Sequence, residues 1–190
     1  MQEYINIYSN DVQGALQKLD AEAFSRAIDT LVDAYKHDRQ IFIFGNGGSA
    51  GTANHFVCDF GKNAVVEPGR RRFRILSLSD NIEKITALGN DIAFNEIFRQ
   101  QLVNLMRDGD VIISVSASGN SPDIVKACEY ARSRNGKIIS LAGFSGGAMA
   151  EIADISLVAP LTSYEQIEDL HMVILHMIVY YFKSHPEALD

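Results

Sequence analysis

From residue 40 onward the chain alternates short, almost wholly apolar runs with longer segments whose apolar residues recur every three to four positions. The short runs are "QIFIF" at 40–44, "RFRILSLS" at 72–79, "VIISVSA" at 111–117, "KIISLAG" at 137–143 and "ISLVAP" at 155–160. A continuous apolar run of that length is what a strand buried on both faces requires. Helical segments fall between them, over about 49–60, "DNIEKITALGN", "AFNEIFRQQLVNLMR" and "DIVKACEYARSR", and a long one closes the chain at about 164–183. In the third of these, Phe94, Ile97, Phe98, Leu102 and Leu105 form the apolar side; the next starts with Ser121 as N-cap and Pro122 at the first helical position. Strands alternating with helices imply an α/β fold with a five-stranded parallel sheet covered on both faces.

Two helices precede the first strand and lie outside that alternation. Asp20 caps one in which Phe24, Ile28, Leu31, Val32 and Tyr35 share a stripe; Val12, Leu16 and Leu19 mark another, interrupted by Gly14. An apolar helical hairpin added to a small domain is expected to face a partner subunit. With 190 residues the chain suits one domain, helices at 1–37 and an α/β core at 38–190.

Charge and cysteine usage narrow the function. The net charge is −7 and the basic residues cluster only in "GRRRFR" at 69–74, too little for a nucleic-acid face. That run reads as a loop entering a strand, or as a greeting for an anionic substrate. Cys58 and Cys128 form no CxxC pair, which excludes a zinc ribbon or a disulfide framework. "MQEYINIYSND" has neither a basic nor an apolar leader region, and no apolar run reaches membrane-spanning length. A cytoplasmic protein without membrane or nucleic-acid partners is expected.

Ligands of parallel α/β sheets bind beyond the carboxyl ends of the strands. Two polar loops lie there, "GNGGS" at 45–49 and "SASGNS" at 116–121. Gly45, Gly47 and Ala50 satisfy a loose dinucleotide fingerprint, but its ribose-binding acid is missing. Glu67, at the required spacing, falls in a loop, and there is no GK[ST], so no nucleotide cofactor is expected. In the second loop Ser116, Ser118, Asn120 and Ser121 straddle Gly119. Hydroxyls and free N–H groups at a helix N-terminus suit a phosphate monoester. The plainer reading, serines as turn and cap residues, covers Ser121 but not four such residues together. His55 and Asp59 stand four apart on the helix after the first loop, as a metal pair, an acid–base pair or a surface hydrogen bond.

"GNGGS", "ISVSASGNSPDIVKA" and "SLAGFSGGAMAEIADISLVAP", with "GNDIAFNEIF", closely resemble the SIS (sugar isomerase) domain, in its phosphoheptose isomerase branch. The resemblance spans nearly the whole chain. It implies a flavodoxin-like three-layer sandwich, a homotetramer and a phosphorylated-sugar substrate. It implies phosphate ligands at Ser116, Ser118 and Ser121, with Ala117 in the same loop, and sugar contacts at Asn46, Gly47, Gly48, Ser49, Asn90 and Asp91. In that family zinc is held by a His and a Glu after the first loop and a Gln and a His on the last helix; the matching positions are His55, Asp59, Glu168 and His176. Two of them depart from the family pattern, Asp59 for Glu and Glu168 for Gln.

Glu168 and His176 lie about 12 Å apart along a helix axis, so one chain's helix cannot easily bring both to one ion. One of them is then expected from a neighbouring subunit, making the site an interface. His171, about 140° round the helix from His176, reads as structural or supporting. The implied reaction is aldose–ketose isomerisation through an enediol, most specifically sedoheptulose 7-phosphate to D-glycero-D-manno-heptose 7-phosphate. Asp59 or Glu168 would take the proton and His176 would move protons between the oxygens. A non-catalytic SIS module, sensing phosphosugars or binding a replication initiator, is the alternative; ionisable groups at all four positions favour the enzyme.

Overall fold

The computed structural model describes residues 1–190 throughout. In chain order the elements are α1 (Gln2–Gln17), α2 (Ala21–Lys36), β1 (Gln40–Gly45), α3 (Gly47–Asn63), β2 (Arg74–Ser77), α4 (Ile82–Asp91), α5 (Ile97–Leu105), β3 (Val111–Ser116), α6 (Pro122–Ser133), β4 (Lys137–Gly143), α7 (Gly147–Ile152), β5 (Ile155–Ala159) and α8 (Tyr164–Ser184). All five strands are parallel, in the order β2-β1-β3-β4-β5, as the flavodoxin-like expectation requires. The chain enters at β1, steps to the β2 edge, then returns past β1 to β3. The connections after β1 and β3 therefore leave in opposite directions, and a crevice opens between them. Both polar loops sit at that switch point.

Alternate strand residues serve opposite faces, as the pleat dictates. Ile41 and Ile43 of β1, with Val111, Ile113 and Val115 of β3, pack under α2, α3 and α8, against Leu31, Phe56, Phe60, Ile174, Ile178 and Phe182. Phe42, Phe44 and Ile112 face the other core, closed by Phe98 and Leu102 of α5, Cys128 of α6 and Met149 of α7. Asp20 caps α2 as expected, its carboxylate accepting from the N–H groups of Glu22 and Ala23 at 2.9 and 3.0 Å.

Several elements differ from the sequence reading. α1 begins at Gln2, well before the apolar marks at Val12 and Leu16, and Tyr8 ties it to α8 by donating to Asp169 at 2.6 Å. The segment expected as one helix from residue 93 opens instead with a 3₁₀ turn, Phe94–Glu96. Glu96 anchors this turn by accepting from Lys126 and Arg99 at 2.9 Å each. Phe94 and Leu105 consequently face solvent, while Ile97, Phe98 and Leu102 are buried. The basic run proves to be mortar: Arg70 pairs with Asp190, Arg71 donates to the Tyr35 carbonyl, and Arg72 donates to the carbonyls of Gly61 and Lys62. α7 has only six residues, too few to show a helical period in the sequence.

Candidate active site

The serine loop is shaped by a contact that only glycine allows. Gly119 has φ +65°, and a Cβ there would overlap the carbonyl oxygen of Gly146. The loop is bolted to the start of α7, Met149 N–H donating to the Gly119 carbonyl at 2.9 Å and Ala148 N–H to Asn120 Oδ1 at 3.0 Å. Asn120 also donates to the Ser118 carbonyl, so its side chain is spent on the loop itself. The three hydroxyls converge: Ser116 Oγ lies 3.5 Å from Ser118 Oγ and 3.4 Å from Ser121 Oγ. Ser121 precedes α6 yet makes no side-chain cap bond. Its hydroxyl is turned to the cluster instead of capping, whereas Ser116 and Ser118 also serve the turn, accepting from the N–H groups of Gly119 and Asn120 at 3.2 and 3.3 Å.

These hydroxyls line a cavity of about 130 Å³ together with Asn46, Ser49, Ala117, Tyr164 and Glu168. Asn46 is held by Asp123, which is buried and accepts its amide N–H at 2.8 Å. A wider groove of about 450 Å³ continues past Asn46 and Ser121 to Phe94 and Asn95. The helix reaches back to Gly47, two residues earlier than its sequence signals, and Gly47 takes φ +51° at the first position. At the second, Gly48 leaves room for the Glu168 carboxylate: a Cβ there would lie 2.5 Å from Oε2 and 2.9 Å from Cδ. No charged nitrogen pairs with Glu168, so the wall of the cavity carries one acid beside uncharged hydroxyls.

Further along the same two helices, His55, Asp59 and His176 form a second cluster within one chain. His55 Nε2 lies 3.0 Å from His176 Nε2 and 3.2 Å from Asp59 Oδ2; His176 Nε2 lies 3.6 Å from that oxygen. Two imidazole nitrogens this close need a proton or a cation between them. The donor set fits zinc, which takes imidazole nitrogen and carboxylate oxygen at about 2.0–2.2 Å and so draws its ligands to spacings like these. The histidines are roughly half exposed, at 49% and 47%, and Asp59 at 25%. Lys62 approaches the other Asp59 oxygen at 3.8 Å.

Glu168 is not part of this trio. Within one chain the four resemblance-implied ligands thus divide: three meet, and the fourth lines the serine cavity with the sugar-loop residues. The expected separation of Glu168 from His176 is present, and it is His176 that shares a chain's trio with His55 and Asp59. Asn90 and Asp91 end α4 on the surface, hydrogen-bonded to each other at 2.9 Å and outside the linings of both the cavity and the groove. His171 is fully buried on α8 with neither ring nitrogen partnered, and burial lowers its pKa. Sequence reasoning misses Tyr164 on the cavity wall and Asp123 behind Asn46; both stand beside segments already singled out, but neither carries a motif.

Comparison with known proteins adds to this geometry. The family model described as "SIS domain" matches residues 3–143. A phosphoheptose isomerase of Citrifermentans bemidjiense is 36% identical over 168 residues, covering 88% of this chain and 86% of the relative. One from Helicobacter pylori is 34% identical over 157 residues, covering 83% and 81%. The solved phosphoheptose isomerase of Neisseria gonorrhoeae superposes with a TM-score of 0.86 at 28% identity, covering 96% of this chain and 98% of that one. No helix is long and apolar enough to cross a membrane.

Proposed function

Because this chain belongs to the SIS domain family, among the phosphoheptose isomerases, we infer that it interconverts sedoheptulose 7-phosphate and D-glycero-D-manno-heptose 7-phosphate. The observation that carries this reading is the pairing of an uncharged three-serine cradle with a titratable trio on adjoining helices. Ser116, Ser118 and Ser121 hold the phosphate, and Asn46, Gly47, Gly48 and Ser49 border the sugar. Anchoring the phosphate converts binding energy into orientation at the carbonyl end.

In the open-chain ketose a carboxylate removes a proton from C1, and the electrons of that C–H bond form the C1=C2 bond of an enediol as O2 gains a proton. Return of a proton to C2, with loss of the O1 proton, leaves the aldose. With His176 free, its imidazole carries the proton between O1 and O2. With zinc held by His55, Asp59 and His176, the ion would supply Lewis-acid polarisation of the carbonyl oxygen.

The separation of about 12 Å along α8 argues that one carbonyl end meets the Glu168 wall of one chain and the trio of a neighbour. The same reading makes the enzyme a homotetramer with active sites at its interfaces. It is supported by the exposed apolar residues of α1, Tyr4, Ile5 and Ile7, and by the apolar groove that Val12 and Leu16 form with Met172 and Val173. Residues 1–37 then serve assembly and 38–190 the chemistry, in a cytoplasmic protein whose two cysteines are free thiols. A purely binding role is not favoured, since the acid–base set is complete.

The test is incubation with sedoheptulose 7-phosphate in deuterated water, with and without added zinc, read by NMR. Deuterium beside the carbonyl together with the aldose product is expected. Absence of both under either condition overturns the reading.

A further inference from the structure

We propose that Asp123 is a positioning residue for the isomerisation: it turns Asn46 so that the amide oxygen accepts from a sugar hydroxyl. This rests on the isomerase reading above and gives a task to a buried acid that the mechanism leaves unused. Two features of the chain support it, the donor and acceptor roles within the pair and a helix cap that is not made.

Asp123 is 2% exposed at the second position of α6, and its carboxylate makes one hydrogen bond within the chain, accepting from Asn46 Nδ2 at 2.8 Å. A carboxylate accepts and does not donate, so the Asn46 amide must present its nitrogen to it. An amide can ordinarily be turned either way; here the chemistry of the partner decides. Oδ1 then lies on the side away from Asp123. Asn46 lines both the serine cavity and the groove that continues from it. A phosphate group presents acceptor oxygens and negative charge, which an amide oxygen repels. Each hydroxyl of the sugar carries a donor, so the sugar is the fitting partner for Oδ1.

Asn46 also stands at the N-cap of α3, where an asparagine ordinarily accepts from the N–H groups of the first turn. It makes no such bond, in contrast to Asp20 and Asn81, which cap α2 and α4. Held by Asp123, Asn46 is withheld from the helix, and the first N–H groups of α3 keep no side-chain partner. Ser121 is withheld from α6 in the same way. The two helices that leave β1 and β3, one on each side of the crevice, thus both begin without a side-chain cap. Stability is given up at both entrances to the site, the pattern expected where a side chain serves a ligand instead of the fold. At α3 the residue that enforces this is Asp123.

The experiment uses the full-length protein with Asp123→Ala, Asp123→Asn, Asn46→Ala and the double variant of the two alanines. Three quantities are read: turnover of sedoheptulose 7-phosphate by NMR, inhibition by inorganic phosphate, and the thermal midpoint. Asp123→Ala frees Asn46 to cap α3, so the midpoint should hold while kcat falls by about 10²-fold, as for a misplaced contact. Inhibition by inorganic phosphate should stay within a few-fold of wild type, because the serine cradle is untouched. Asp123→Asn, whose amide oxygen can still accept from Asn46, should recover part of the lost kcat. In the Asn46→Ala background, Asp123→Ala should add little, since the acid acts through that amide. A kcat in Asp123→Ala within a few-fold of wild type overturns the proposal, as does a full, additive loss in the double variant. A lowered midpoint with kcat unchanged makes Asp123 a structural acid only and overturns it too. Should Asp123→Ala fail to fold, Asn46→Ala decides, and an unchanged kcat there refutes the proposal. Wild-type turnover persisting in any of these cases leaves the isomerase reading standing; its absence from the wild type itself takes down both.

Discussion

Gly48→Ala should separate folding from catalysis. The added methyl would sit 2.5 Å from Glu168 Oε2, 2.9 Å from Cδ and 3.0 Å from Oε1, with no other group among its nearest contacts. Ordinary contact requires the carboxylate to retreat by about 1 Å, which the flexible end of a glutamate does by rotation at a cost of about 0.5–1.5 kcal/mol. Gly48 lacks a positive φ, and alanine is favoured over glycine in a helix by up to about 1 kcal/mol, so the thermal midpoint should hold or rise slightly. A misplacement of about 1 Å at a reacting group costs on the order of 10²-fold in rate, or about 2.7 kcal/mol of transition-state stabilisation. The expected result is a kcat lower by that factor with little change in KM, measured by NMR-monitored turnover beside a melting curve. Gly51→Ala, where a Cβ meets nothing within 4 Å, is the control and should leave kcat alone. An unchanged kcat in Gly48→Ala refutes a substrate-facing role for Glu168 in this position. A raised KM at constant kcat refutes it too, the methyl then acting only on the sugar that Gly48 borders.

Three further outcomes follow from the same geometry. Ser121→Ala removes no cap bond, so stability should stay within about 0.5 kcal/mol, while loss of a hydrogen bond to a charged phosphate should raise KM by about 10–100-fold; a stability loss without a KM change would restore the cap reading. His55→Ala removes one of three converging donors and should weaken zinc binding, in a chelator competition, by more than the ~10–100-fold typical of outer-shell changes. His171, buried with a lowered pKa, protonates more readily unfolded than folded. Its contribution to stability is therefore complete above the unfolded value of about 6.5 and is lost as pH falls below it. Urea midpoints should decline over that acid range by up to about 1.4 kcal/mol per pH unit, and His171→Leu should flatten the decline.

What the sequence made legible, and what it hid, divides along physical lines. Strands were readable because burial on both faces leaves a continuous apolar run, and β1, β3, β4 and β5 lie within residues 40–44, 111–117, 137–143 and 155–160 to within a residue or so. The serine cradle was readable as composition but not as geometry: its shape depends on Gly119 meeting the Gly146 carbonyl and on α7, a contact between segments some 27 positions apart. The acid–base residues show the deeper reason. On paper His55, Asp59, Glu168 and His176 are one set, because a motif records residue types and not axial distance. α3 and α8 run side by side in the same sense, so Gly48 meets Glu168, His55 meets His176, and Phe60 meets Phe182. Each step along one helix is matched on the other, and the eight residues between Glu168 and His176 become a separation of about 12 Å. Two acids that look interchangeable in sequence are thereby sorted, one into the cavity with the phosphate cradle and one into the histidine cluster. That sorting is why the choice of base becomes a structural question.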